Sequence, residues 1–193
     1  MRKIISIHHL SLDGVMQGPG GPKEDHSQGF DRGGWIMKYE EPAIGRALTL
    51  LMKGKFDLLL GRRTYDIWAG YWPKHGDNFI GAAFNRCTKY VVTHRARKLA
   101  WINSECINGD VLKQLRQLKA SRGPALHVWG SGQLMQTLLT AGLVDEIRLW
   151  VYPVVLGKGK RLFEEGLPMR GLKLVTSRNT PSGIILNTYR PIR

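Results

Sequence analysis

The chain has 193 residues, of which 42% are apolar and 23% charged, so about one domain burying roughly two-thirds of its unfolded surface is expected, and a disordered or fibrous chain is excluded. No apolar run reaches the ~20 residues of a membrane span, and Cys87 and Cys106 have neither a CxxC partner nor a histidine at zinc-ligand spacing. Against 15 Asp plus Glu stand 29 Lys plus Arg, a net +14, which points to acidic ligands or partners, nucleic acid among them.

The opening MRKIISIHHLSLDG lacks a small-residue cleavage site, so a cytoplasmic protein with no membrane association and no metal is expected, with both cysteines as packing residues. Lys3 to His9 reads as a first strand, its isoleucines suited to a sheet interior. His8 and His9 are taken as structural. Gly14 to Gly34 is long, glycine-rich and without periodicity, the mark of a functional loop or lid. Ile44, Ala47, Leu48 and Leu51 then predict a helix ending near Gly54, followed by a strand over Phe56 to Leu60 and a helix starting around Thr64.

Lys89 to Thr93 reads as a strand. Asp110 caps a helix facing inward with Val111, Leu115 and Leu118, and ALHVWG is a buried strand leading into a helix closed by Gly142. Ile147, Leu149 and Val151 alternate with Arg148, Trp150 and Tyr152, and two further strands between Leu172 and Tyr189 join at TPSG. Strands alternating with helices and closing on strands predict one α/β domain over residues 1–193. It has a mixed, mostly parallel sheet, helices on both faces and a C-terminal antiparallel pair.

Three strand exits carry groups that bind phosphates. In LLLGRRTY, Gly61 permits a tight turn, Arg62 and Arg63 are planar donors and Thr64 caps the next helix. In HVWGSGQL, Gly130 and Gly132 flank Ser131 between strand and helix, although the third glycine of a dinucleotide fingerprint is replaced by Met135. VVTHRARK offers a hydroxyl, an imidazole and three cations from Thr93 to Lys98, a match for a ribose 2′-phosphate. Each alone equally describes an ordinary turn; together they fall at strand C-termini, where open α/β sheets place ligands.

SLDGVM, GGW, LLLGRRTYDIW, KYVVT, GDV, VWGSGQL and GLVDEIRLWVYPVVLGKGKRLF, in this order, resemble the dihydrofolate reductase-like superfamily over almost the whole chain. The likeness is to stand-alone proteins similar to the reductase domain of the riboflavin-pathway deaminase-reductase. The resemblance implies NADPH bound across the strand ends. Gly61, Arg62, Arg63 and Thr64 would hold cofactor phosphates, and Thr93, His94 and Arg95 would surround the 2′-phosphate. Gly130, Ser131, Gly132, Gln133 and Leu134 would lie by the pyrophosphate and nicotinamide, and Val15 to Gly21 would cover the cofactor.

By the same resemblance Asp13 is the catalytic residue, at the substrate ribose and nicotinamide. Lys158, Lys160 and Arg161 would receive a substrate phosphate, a solvated basic turn being the alternative. From the residues alone, Trp35 and Trp150 are candidates to line a flat-ring pocket, although a large aromatic at a strand or loop boundary is more often core. The activity implied is hydride transfer from NADPH to a C=N or C=O bond of a small heterocyclic or ribosyl substrate, as in the phosphoribosylamino-uracil reductase of riboflavin synthesis, by a homodimer. Glu40 and Glu41 stand outside the motif context of folate reduction, and the zinc-deaminase signature is missing. A nucleic-acid-binding protein and an NADPH-binding protein without turnover remain alternatives; against the first, the cations are dispersed and no nucleic-acid motif occurs, so no specific nucleic acid is expected.

Overall fold

The computed structural model describes residues 1–94 and 98–192. Its strands are β1 (Ile4–Ser11), β2 (Phe56–Gly61), β3 (Lys89–Val92), β4 (Ser104–Ile107), β5 (Ala125–Trp129), β6 (Glu146–Tyr152), β7 (Leu172–Asn179) and β8 (Ile185–Pro191). Its helices are α1 (Pro42–Met52), α2 (Arg62–Tyr71), α3 (Phe79–Arg86), α4 (Val111–Ala120) and α5 (Gly132–Thr140). The eight strands form one sheet in the order β4-β3-β2-β5-β1-β6-β8-β7. All neighbours from β4 to β6 run parallel, while β8 is antiparallel to β6 and β7 to β8.

Period-two alternation along β2 builds both layers. Phe56, Leu58 and Leu60 pack in one core with Met52 of α1, Tyr65 of α2 and Phe84 of α3. Leu59 faces the other, with Leu115 of α4 and Leu134, Met135 and Leu138 of α5. Asp57 ends buried, held by Arg2, whose Nε donates 2.7 Å to the Pro124 carbonyl. The β1 strand starts at Ile4 and runs two residues beyond His9, and Asp110 caps α4 as its sequence suggests, accepting from the Lys113 N–H at 3.0 Å.

The sequence reading has no counterpart for α3 or β4. In α3, Asn78 is the N-cap, accepting from the N–H groups of Ile80 and Gly81 at 3.1 and 2.9 Å. Short β4 lies at the sheet edge and exposes Cys106, so that cysteine is a surface residue; Cys87 is half-buried, and burial pushes its thiol up to about 11. At the other edge β7 is exposed along its whole length. Among the described residues no helix is long and apolar enough to cross a membrane.

Candidate functional site

The C-terminal ends of β1, β2, β3 and β5 open on a cleft of about 1450 Å³. The β2 exit turns straight into a helix: Gly61 itself is the N-cap of α2, with no side chain capping the first turn. Thr64 therefore does not start the helix. It lies in the first turn, and its Oγ1 accepts from the Ser131 N–H at 3.0 Å, while Ser131 Oγ accepts from the Gly61 N–H at 2.9 Å. These reciprocal bonds lock the exits of β2 and β5 together. The approach is close, because a Cβ on Gly130, which has φ +53°, would meet Thr64 Oγ1 at 3.2 Å. Ser131 adopts a left-handed conformation, φ 59°, and leaves the first turn of α5 without a side-chain cap. Two helix N-termini with unclaimed N–H groups thus face one cleft, a setting that attracts anions.

Of the residues named from the sequence, Gly61, Arg62, Arg63, Thr64, Thr93, His94, Gly130, Ser131, Gly132, Gln133 and Leu134 line this cleft, as do Lys160 and Arg161. Arg95 lies outside the described residues. Arg62 binds Asp66 through Nε at 2.8 and 2.9 Å, and its buried Nη1 has no partner among the described residues. Arg63 turns to Asp25 at 2.7 Å.

Four residues fall elsewhere. Trp35 is buried, donating its indole N–H to the Gln17 carbonyl at 2.8 Å, and its ring meets Tyr152 edge-on; Trp150 is likewise core. A large apolar ring after a glycine-rich loop anchors that loop here and does not reach the cleft wall. Lys158 pairs with Asp31 at 2.8 Å, outside the cleft. Asp13 accepts from Ser11 Oγ at 2.7 Å and from the N–H groups of Leu156 and Gly157 at 3.0 and 2.8 Å, so its carboxylate ties the β1 exit to the 156–157 backbone. Burial raises its pKa, but these donors outweigh it and bring the group to about 2.

Sequence reasoning missed three contributors. His8 and His9, read as structural, both line the cleft on successive positions of β1. Burial, and for His8 the neighbouring His9, push them down to about 3 and about 4, so both rings are neutral. Both nitrogens of His8 are buried without a partner among the described residues. The third is Asp25, in the long loop. Burial pushes its carboxyl up, yet Ser27, Lys160 and Arg63 hold it well below the ordinary carboxylate range. Polar residues in the C-terminal half of a central strand are the one signal that could have marked the histidines, since the rest of β1 is apolar or small.

The chain matches the family model described as the RibD C-terminal domain over residues 2–186. A curated relative, the protein YyaP of Bacillus subtilis (strain 168), is 29% identical over 194 residues, covering 97% of this chain and 94% of its own. Among solved structures, a putative riboflavin biosynthesis protein from Shewanella sp. PV-4 superposes with a TM-score of 0.76 at 20% identity, covering all of both chains. A pyrimidine reductase-like protein from Corynebacterium diphtheriae does so at 0.65 and 15% identity, over all of this chain and 92% of its own. The dihydrofolate reductase of Enterococcus faecalis, complexed with NADP(H), reaches 0.60 at 14% identity over 99% and 97% of the two chains. The last three likenesses establish the dihydrofolate reductase-like fold, and the family model, spanning nearly every residue from β1 to β8, establishes the kinship: the chain belongs to the RibD C-terminal domain family.

Proposed function

We propose that this protein is an NADPH-dependent reductase acting on a C=N or C=O bond of a small heterocyclic or ribosyl substrate. The observation that carries the reading is the convergence of two uncapped helix N-termini, at Gly61 and Ser131, on one cleft with Arg62 and Arg63 at its rim. A phosphorylated cofactor fits these groups. The unpartnered Nη1 of Arg62 is a donor awaiting an acceptor, and the close approach of Gly61 to Ser131 leaves backbone as the cleft surface. Family membership and the reductase named among the solved structures support the same class of activity.

In this reading Gly61, Arg62, Arg63 and Thr64 hold phosphate oxygens, and Thr93, His94 and Arg95 take the 2′-phosphate. Gly130 to Leu134 line the cofactor's course toward β1. When NADPH is bound it supplies the hydride; the chain's part is binding, orientation and exclusion of water. Lys160 and Arg161 receive an anionic group on the substrate. Asp13 acts as a positioning residue, through the 156–157 backbone that it holds. The homodimer and the cytoplasmic location are carried over from the resemblance and the sequence. A second copy of the chain would cover the exposed Leu172, Leu174 and Val175 of β7, and sedimentation equilibrium tests it.

Calorimetric titration with NADPH and NADH tests the cofactor. NADPH should bind at least about ten-fold more tightly than NADH, a difference of ~1.4 kcal/mol. Arg62→Ala with Arg63→Ala should weaken NADPH binding. Failure to bind either nucleotide overturns the reading and returns the basic surface to nucleic acid, whose affinity would fall steeply with salt.

A further inference from the structure

Resting on the reading of this cleft as a substrate site, we infer that His9 is its substrate-recognition donor. Tyr152 holds the ring in the Nε2–H tautomer, and the ligand selected is a planar ring with a neutral acceptor, a carbonyl oxygen or ring nitrogen, on its edge.

The tautomer follows from counting hydrogens. His9 Nδ1 lies 2.8 Å from the Tyr152 hydroxyl. Tyr152 is 1% exposed, and its hydroxyl has no other hydrogen-bond partner among the described residues. A buried O–H left without an acceptor forfeits the whole of its hydration, so the hydroxyl donates and Nδ1 accepts. A neutral imidazole has one N–H, and with Nδ1 bare it belongs to Nε2. The alternative, Nδ1–H donating to the tyrosine oxygen, strands the tyrosine hydrogen in the core. The imidazolium is excluded at neutral pH by the same burial that lowers the ring's basicity.

Nε2 is open to a ligand. His9 is half-buried on the cleft wall, and its Nε2 has neither a partner nor a sealed position among the described residues, unlike the nitrogens of His8. The walls beside it are flat and apolar. Trp129 tilts against His9 with centroids 6.2 Å apart, and Trp68, which also lines the cleft, lies 6.3 Å from Trp129. Trp150 closes the back edge-on at 5.1 Å. Indole faces favour a planar ring, while a neutral donor matches a neutral acceptor. Anionic groups are better served by Arg63, Lys160 and Arg161 in the same cleft.

The test has two arms. Long-range ¹⁵N–¹H spectra of histidine-labelled protein at neutral pH should give His9 as the Nε2–H tautomer with Nδ1 as a hydrogen-bonded acceptor, and Tyr152→Phe should move the Nδ1 resonance to that of an unbonded ring nitrogen. Uracil, a planar ring bearing carbonyl acceptors, is titrated into NADPH-saturated protein. His9→Phe should weaken uracil binding about ten-fold, and His9→Gln, which keeps an N–H donor, should restore much of it, with NADPH affinity unchanged in both. A Nδ1–H tautomer, no uracil binding by the wild type, or uracil affinity indifferent to His9→Phe overturns the inference. If NADPH itself fails to bind, the reductase reading falls, and the uracil titration on the protein alone decides His9 separately.

Discussion

Lys160 and Asp25 meet across the mouth of the cleft, Nζ to Oδ2 at 3.0 Å, while the other oxygen of the same carboxylate accepts from Arg63 at 2.7 Å. A loop acid thus neutralises two cations that the proposed function assigns to phosphates, one for the cofactor and one for the substrate. Asp25 is fastened further by the Ser27 N–H at 2.9 Å, and Gln17 donates to the Ser27 carbonyl at 2.9 Å, so the loop over the cleft is one hydrogen-bonded unit.

Removing that acid should release the cations. Arg63 is 59% exposed, so its pair contributes little to stability, about 0–1 kcal/mol. Asp25 itself is only 10% exposed and also accepts from Ser27 and Lys160, so Asp25→Asn is expected to lower the urea midpoint while tightening the binding of inorganic pyrophosphate and NADPH at low salt. Limited proteolysis should cut the loop between residues 16 and 34 faster in this variant. Weaker anion binding by Asp25→Asn would show that the carboxylate organises the cations and does not compete for them.

Asp13 separates anchoring from chemistry. Its carboxylate accepts two backbone N–H groups and the Ser11 hydroxyl, and Asn in its place offers one acceptor oxygen. Asp13→Asn should cost about 1–3 kcal/mol through the unmatched N–H groups, measured by urea denaturation, with NADPH affinity preserved. The group is depressed from 3.8 to about 2, so its contribution is full above pH 3.8 and lost as pH falls toward 2; the wild type should show that loss and Asp13→Asn should not.

Much of this architecture was legible because local and global signals agree. FDLLLG is apolar at every position but one and becomes the buried strand β2; the Asp110 cap and the alternation from Ile147 to Tyr152 also read directly. The short helix α3 was hidden by Gly81, which propensity places outside helices, and β4 by its length and exposure. In the cleft, glycine and arginine letters at Gly61 to Arg63 announced an anion site. The links between Asp25 and Lys160, or His9 and Tyr152, join residues 135 and 143 positions apart, and no local pattern encodes them. Trp35 misled for the converse reason: an aromatic beside a ligand loop and an aromatic anchoring that loop look alike as letters.

Acid should destabilise the fold well before its carboxylates protonate. His8 and His127 are buried and neutral, depressed from 6.5 to about 3 and about 4, the first by burial and then His9, the second by burial and then Arg148. Above pH 6.5 neither state binds the proton. Below it the unfolded chain does and the folded chain does not, so each ring removes up to about 1.4 kcal/mol per pH unit between 6.5 and its folded value. His9, half-open to the cleft, adds less. Urea midpoints should fall steadily from pH 7 to pH 5, and His127→Phe, which keeps the stack on Phe56 at 4.5 Å, should flatten the slope. A midpoint constant over that range would mean these rings take up protons in the folded state.

Gly81 sets two rules against each other. Inside a helix Ala is preferred to Gly by about 1 kcal/mol, which favours Gly81→Ala in α3. Against this, a Cβ at Gly81 would lie 1.9 Å from the His75 carbonyl oxygen and 2.8 Å from its carbon, contacts that only a shift of backbone can relieve. Overpacking of that kind costs about 1–3 kcal/mol or more and outweighs the propensity gain. The shift would travel, because Phe84 of the same helix stacks on Trp68 at 4.8 Å and meets Trp72 edge-on at 5.2 Å, and Trp68 is a wall of the cleft. Gly81→Ala should therefore lower both the urea midpoint and uracil affinity, whereas Ala82→Gly, at an exposed neighbour in the same helix, should lower the midpoint by about 1 kcal/mol alone. A Gly81→Ala midpoint equal to or above the wild type would place the His75 backbone farther from α3 than this packing requires.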